Sequence, residues 1–295
     1  MIELRHLRYF IAVAEELNFR RAAERIHIDQ SPLSRTIGDL ERQLGAVLFV
    51  RTPRRLELTP AGVKLLAQSR SMFIRLERIK RIVREADSRY REPLRIGIDE
   101  SMMQSRLAEC FNRWRDVAPD ISLHLTELRT AELLAALRSE EVDAGFSFGL
   151  PEDEAITEQP AWRSPVVAIV PSTHELAKRE KVFLAELLAF PSITCHATHH
   201  PGLFRQMRTI LQRHSVHPTI VGQARSVSGC LNRVAAGIGV GVADADHMEM
   251  LRRTDIAVVP LVEPVHITTY VLHKRRRTSF PTSLQRFLAH ATSLH

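Results

Sequence analysis

At 295 residues, with 44% hydrophobic and 25% charged side chains, the chain has a globular composition and room for two or three domains. No stretch nears the ~18 consecutive apolar residues of a membrane span, and MIELRHLRYF carries charges where a signal peptide needs an apolar run, so a soluble cytoplasmic protein without a membrane partner is expected. The net charge of +7 is uneven: residues 1–91 hold 19 Lys+Arg against 11 Asp+Glu and the remainder 22 against 23, which excludes a uniformly basic protein and sets a polyanion-binding third beside a near-neutral remainder.

Leu4, Leu7, Phe10, Ile11, Val13, Ala14 and Leu17 recur at helical spacing and predict a helix over 4–17. Asn18 ends it or caps the next helix, Phe19 to about Ile26, whose Ala22, Ala23 and Ile26 allow close helix crossing. His27–Gln30 make a turn, and a third helix spans Ser31–Leu44. Ser31 is its expected cap, Pro32 its first residue, where a missing N–H costs nothing, and Gly45 its stop. Leu33, Ile37, Leu40 and Leu44 form an inward stripe, and Ser34, Arg35, Gly38 and Arg42 fall opposite. That free face suits a DNA major groove, since small residues permit close approach and Arg reaches guanine edges or phosphates. A solvated surface helix is the plain alternative for such a pattern standing alone.

Leu48–Arg51 and Leu56–Thr59 read as two strands around Thr52-Pro53-Arg54-Arg55, an arginine-tipped hairpin. Beside a helix-turn-helix it is a wing, able to put Arg54 and Arg55 on phosphates or into a minor groove. Thr59-Pro60 opens a long helix to about Ser88. Along it Leu65, Ser69, Met72, Leu76, Ile79, Val83 and Ala86 alternate by four and three, the seam of a coiled coil. Dimerisation is favoured over packing on the helix's own domain because the stripe is narrow and its flanks are charged. A dimer makes a two-fold related DNA site the expected target.

Beyond Pro93, strands are expected at 94–98, 121–128, 142–148, 166–170, 192–195, 219–223, 256–261 and 266–273, with a loop near 151–164. Ser101 is expected to cap a helix to about Val117 and Thr130 to cap another, and further helices fall near 201–213, 228–237 and 280–289. Alternating strands and helices predict open parallel sheets with crossovers. In AAGIGVGV at 235–242 a helix runs into a buried strand, the wrong order for a dinucleotide fingerprint, so no NAD and no other cofactor is expected. His196, His199 and His200 cluster without partnered ligand spacing, so no metal is expected. Cys110, Cys195 and Cys230, odd in number and widely spaced, fit reduced thiols. Neither Cys195 nor Cys230 has an evident cationic neighbour to make it a redox switch. No nucleophile, base and orienting group stand at convincing spacing, so no catalytic residues and no enzyme are expected.

Residues 1–62 resemble the N-terminal domain of LysR-type transcriptional regulators, in LRYFIAVAEELNFRRAAERI, QSPLSRTIGDLERQLG and LFVRTPRRLELTPAG. DAGF at 143–146, VAIVPSTHELA ending at Ala177 and AAGIGVGV extend the likeness along the chain, which looks most like the aromatic-catabolism subgroup. The resemblance implies an all-α winged helix-turn-helix domain (1–59), a linker and dimerisation helix (60–89) and an α/β effector region (90–295) of two Rossmann-like subdomains similar to periplasmic binding proteins. These are subdomain I, 90–162 with 266–295, and subdomain II, 163–265, with crossings near Arg163 and Pro264.

By position it implies DNA contacts from Gln30, Ser31, Pro32, Ser34 and Arg35 and from the wing residues Arg51, Arg54 and Arg55. An inter-subdomain cleft would hold an effector against Ser101, Met102, Thr130, Phe148, Gly202, Leu203 and Val227. Helix starts facing that cleft would favour a small anion, but Phe148 stands where several regulators of this kind have an arginine, which argues against a dicarboxylate. Implied partners are double-stranded DNA at an interrupted palindrome, a small-molecule effector, RNA polymerase, and further copies of the chain in a dimer or tetramer. A constitutive regulator without an effector and a solute-binding α/β protein are the alternatives.

Overall fold

The computed structural model describes residues 1–51, 55–86, 93–102, 104–251, 253–275 and 281–294. The chain divides into two compact units, Met1–Asp87 and Ser88–His295.

The first unit consists of α1 (Leu4–Glu16), α2 (Phe19–Arg25), α3 (Gln30–Leu44), the strands β1 (Phe49–Arg51) and β2 (Leu56–Leu58), and α4 (Pro60–Ala86). Asn18 caps α2, its Oδ1 accepting the Arg21 N–H at 3.1 Å. α3 begins one residue earlier than expected, because Asp29 takes the extended cap position without a side-chain bond. Ser31 is therefore the second helical residue rather than the cap, and Pro32 the third. Proline is tolerated there because the first four helical N–H groups lack an intrahelical partner anyway. Gly45 ends α3 at φ +64°, a left-handed conformation that glycine adopts without Cβ strain.

Phe10, Val13, Ala22, Leu33, Ile37 and Leu40 are fully buried in one core. The Phe49 ring packs into it, 5.4 Å from Phe10 and 6.1 Å from Phe19. Leu44, a full turn past Leu40 at the helix end, is 39% exposed and leaves the stripe. Thr59 opens α4 as expected: its Oγ1 accepts the Gly62 N–H at 3.0 Å and donates to the Val47 carbonyl at 2.8 Å. Gly62 is required, since a Cβ there would collide with the Leu48 carbonyl oxygen. The expected seam of α4 divides. Leu65 packs on the core and Ser69 is buried, whereas Met72, Ile79 and Val83 are 48%, 57% and 66% exposed. The Ala86 side chain, the seam's last, lies outside the described residues.

In the second unit, β3 (Leu94–Asp99) runs parallel between β4 (Leu123–Leu128) and β5 (Ala144–Ser147), connected through α5 (Ser105–Val117) and α6 (Thr130–Ser139). β5 pairs antiparallel with β11 (His266–Lys274), which pairs antiparallel with the 16-residue β6 (Ile156–Pro171). Residues 156–165 of β6 face β11, and 166–171 face β9 (Gly241–Asp244) and β10 (Ile256–Pro260), both antiparallel. β7 (Ser192–Cys195) and β8 (Ile220–Ala224) form a separate parallel pair. A 3-10 turn (Glu175–Lys178), α7 (Leu184–Leu188), α8 (Pro201–Arg213), α9 (Val227–Ala235), α10 (Ala245–Met250) and α11 (Thr282–Thr292) complete the unit.

Three expectations are corrected. The sheet is mixed rather than parallel, because β6 and β11 return antiparallel through it. The loop expected at 151–164 is strand from Ile156, since its prolines sit where strands tolerate them. Pro160 lies beside the register shift opposite Thr269/Tyr270, and Pro165 where β6 changes partners. Neither Ser101 nor Thr130 is a cap: α5 starts at Ser105 behind Gln104, and α6 starts behind Arg129, whose backbone N–H donates to the Glu132 carboxylate at 3.1 Å. The main core is clamped by Trp114, whose Nε1 donates to the Ile121 carbonyl at 3.0 Å and whose ring lies 5.2 Å from Phe287.

Candidate functional site

Two surfaces carry the chemistry, one on each unit. On the first, the α3 face opposite Leu33, Ile37 and Leu40 presents Gln30, Ser31, Pro32 and Arg35 to solvent, with Ser34 half-buried. The Arg35 side chain has no ion pair or hydrogen bond among the described residues. Arg42, by contrast, is tied to Asp39 one turn back on its own helix. A helix whose inner face is locked by buried leucines and whose outer guanidinium is unspent is a rigid mount for a polyanion contact. Glu41 links this helix to the wing: its Oε1 accepts the Leu48 N–H at 2.8 Å and the Phe49 N–H at 3.3 Å. The β1–β2 hairpin forms as the strand spacing predicts, with Phe49 opposite Leu58 and Arg51 opposite Leu56. Arg55 stands 3.5 Å from Glu57. Arg54 and the Arg51 side chain lie outside the described residues. Behind these elements, Arg70 of α4 and Arg25 of α2 converge on Glu15 of α1 at 2.7 and 2.8 Å. Burial raises the Glu15 pKa, and the two guanidiniums more than offset it, leaving it below the usual value.

In the second unit a cavity of about 110 Å³ is walled by Ile169, Ile193, Leu203, Met207, Val227 and Ile267 among others. Of the seven residues predicted around an effector, Ser101, Phe148, Leu203 and Val227 line it. The other three do not. Met102 is buried in the main core. The Thr130 Oγ1 is held 2.6 Å from Asp99 and 3.0 Å from the His199 carbonyl. Gly202 is pressed onto Gly149, where any Cβ would strike the backbone. α8, α9 and α10 bring their first turns to the cavity, through His200 and Leu203, Ser226 and Val227, and Asp244 and His247.

Sequence reasoning missed His200, Asp244 and His247 in this lining. They come from the start of α8 and from the β9–α10 corner, and no spacing pattern joins them. Asp244 is buried and belongs to a network centred on Gln104. The Gln104 Nε2 donates to the Asp244 carboxylate, and its Oε1 accepts from Trp162 Nε1 and Thr269 Oγ1, each at 3.0 Å. Burial pushes the Asp244 pKa up to about 6, against the hydrogen bond from Gln104. Burial also lowers the His247 pKa, which disfavours its charged ring. Cys195 and Cys230 line the cavity as well, and burial raises both thiols to about 11, the opposite of an activated thiolate. His196 and His199 approach to 3.2 Å between Nδ1 atoms, while His200 turns to the Arg225 carbonyl. Among the described residues no group of three His, Cys, Asp or Glu side chains could hold a metal ion.

Residues 4–63 match the family described as bacterial regulatory helix-turn-helix protein, lysR family, and residues 87–294 match the LysR substrate binding domain. The chain belongs to the LysR family. It is a DNA-binding transcriptional regulator with an effector-binding domain. Among its relatives, the regulator CatR of Pseudomonas putida is 34% identical over 275 residues, covering 93% of each chain. The regulator BenM of Acinetobacter baylyi is 30% identical over 276 residues, covering 90% of this chain and 88% of that one. The crystal structure of full-length CbnR complexed with its target DNA matches over 100% of both chains at a TM-score of 0.83 and 24% identity, a likeness of fold. No described helix of this LysR-family chain is long and apolar enough to cross a membrane.

Proposed function

We propose that α3 reads base edges in a DNA major groove through Gln30, Ser31, Pro32, Ser34 and Arg35, while Arg51, Arg54 and Arg55 of the wing hold phosphates or enter the minor groove beside it. The observation that carries this reading is the Arg35 side chain, exposed and without a partner among the described residues on the outer face of α3. Two copies pair through α4, whose Met72, Ile79 and Val83 are exposed in one chain, and set two α3 helices on an interrupted palindrome. Dimers associate into a tetramer that works beside RNA polymerase in the cytoplasm. The protein binds its effector without transforming it.

Within Ser88–His295, we divide the effector domain into residues 90–162 with 266–295 and residues 163–265, close to the change of partners along β6 at Pro165/Val166. The effector occupies the cavity lined by Ser101, Phe148, Leu203 and Val227. Arg35→Ala tests the DNA reading. It is expected to weaken specific binding by about 1–3 kcal/mol, roughly 5- to 150-fold, in a gel-shift titration on the operator. Unchanged affinity and unchanged site preference would overturn the assignment of α3.

A further inference from the structure

The elements of residues 163–265 are not all held alike. α8 lies in that stretch, yet its polar side chains bond to the other part of the domain. Thr268 of β11 pairs with Arg163 of β6 on one side. On its other side β5 pairs only with residues 270–272, which leaves Thr268 without a strand there. The Gln206 amide takes that place. Its Nε2 donates to the Thr268 carbonyl and to the Phe148 carbonyl, each at 2.8 Å, and its Oε1 accepts the Thr268 N–H at 2.8 Å. Two carbonyls that only accept and one N–H that only donates fix which way the amide faces, and both of its protons are used. One residue earlier, the Arg205 guanidinium donates to the Leu150 carbonyl at 2.7 Å and to Glu158 of β6 at 3.2 Å. At the start of the helix Gly202 rests on Gly149 with no room for a Cβ.

The apolar contacts divide in the same way. Met207 and Ile210, buried on α8, belong to the core that holds Phe146, Phe148 and Ile267, whereas Ile193, Ala224, Leu231 and Val234 of β7, β8 and α9 belong to a second core. The β9–α10 corner is also tied across, Gln104 to Asp244 and Arg106 to Asp246. Among the described residues no hydrogen bond or ion pair joins β7, β8 or α9 to residues 90–162 or 266–295. Leu203 and Met207 from the first set and Ile193, Ala224 and Val227 from the second all line the cavity, which lies where the two meet. Shifting α8 breaks directional bonds to buried backbone groups, and shifting β7, β8 and α9 breaks none across the domain. We propose that α8 moves with residues 90–162 and 266–295, Gln206 being the positioning residue that fastens it, and that an occupant of the cavity displaces the block of β7, β8 and α9. The second half rests on the reading of this cavity as the effector site.

Native-state hydrogen exchange on the full chain in low urea, without ligand, tests the first half. The α8 amides of Met207, Ile210 and Leu211 are expected to open in one unit with those of Val271 and Leu272 on β11. The Leu231 and Val234 amides of α9 are expected to open separately and about tenfold more often. Gln206→Leu is expected to speed α8 exchange by about tenfold or more, the usual worth of a lost hydrogen bond, and to regroup α8 with α9. Gln212→Leu, exposed on the same helix, is expected to change neither the rates nor the grouping. In the wild type, α8 opening with α9 or by itself, or the whole domain opening as one unit, overturns the proposal. Gln206→Leu leaving α8 grouped with β11 overturns the role of Gln206. Xenon, which enters dry apolar cavities, probes the second half by amide NMR. It is expected to shift the Ala224 and Leu231 amides and to leave Thr268 in place. Equal shifts at Thr268 overturn the displacement of the block. No shifts at all overturn the cavity reading and the second half with it, while the exchange result still decides the first.

Discussion

Glu41 is the side chain on which the geometry of the DNA-binding surface depends. It is on α3, yet it satisfies the backbone N–H of Leu48 at 2.8 Å and, less closely, that of Phe49 at 3.3 Å, both on buried residues entering the wing. A hydrogen bond to a charged acceptor is worth about 1.5–3 kcal/mol net, and its removal leaves a buried donor unpaired. Glu41→Ala is therefore expected to cost about 2 kcal/mol of first-unit stability, most of it from the Leu48 amide. Hydrogen exchange at the Leu33, Ile37 and Leu40 amides reads that unit directly, and 2 kcal/mol corresponds to roughly 30-fold faster exchange. Glu41→Gln keeps an oxygen acceptor without the charge and is expected to lose about half as much. Exchange in Glu41→Ala within twofold of the wild type would show that the link contributes nothing, and the wing would then be oriented by Phe49 packing alone.

Asp244 makes stability depend on pH. Its folded pKa of about 6 lies above the ordinary 3.8, so between those values the folded chain keeps a proton that the unfolded chain has released. Stability is then lost as pH rises through that window, by up to about 3 kcal/mol, and thermal melts at pH 4 and 7 should show Asp244→Asn gaining on the wild type by up to that amount at the higher pH. Gly202→Ala is expected to cost about 2 kcal/mol or more in urea melts, because its Cβ has only the Gly149 backbone to displace; a silent substitution would free Gly202 for the ligand-contacting role its position suggested. Ile79→Asp is expected to leave the chain folded, since the side chain is exposed, and to convert dimer to monomer by light scattering. A variant that stays dimeric would move the interface off α4.

The first unit was largely legible in the sequence because its elements are local. Asn18, Gly45 and Thr59-Pro60 punctuate helices through contacts three or four residues away, and Leu33, Ile37 and Leu40 need only one period to show their inner face. The misreadings came from competition between equally good local signals. Asp29 and Ser31 both suit a helix start, and the backbone chose Asp29. Ser101 had the capping chemistry but donates to Asp99 instead, which leaves α5 to begin four residues later. In β6, prolines that break an isolated strand are absorbed at a register shift and at a change of partner, and both depend on strands about a hundred residues away. The cavity was legible only through family position. His200 and Asp244 reach the cavity's lining from the start of α8 and the end of β9, and long-range closure leaves no periodicity to read.

The exposed stripe on α4 and the short reading face of α3 bear on one another through energetics. One α3 helix offers two side chains able to bond a base edge bidentately, Gln30 and Arg35, each discriminating by about 1–3 kcal/mol. That reaches only the lower part of the ~4–10 kcal/mol by which specific operators are preferred over bulk DNA. The basic excess of residues 1–91 does not close the gap, because phosphate contacts strengthen binding to every sequence alike. A second α3 helix does close it, provided its spacing from the first is rigid. A rigid link between two copies requires an extended apolar seam, and Met72, Ile79 and Val83 on α4 are exposed apolar positions seven and four residues apart, near heptad spacing. The apolar exposure that is a liability for a single chain is thus what the proposed pairing uses, and loss of specificity should accompany loss of the dimer in Ile79→Asp even with α3 unaltered.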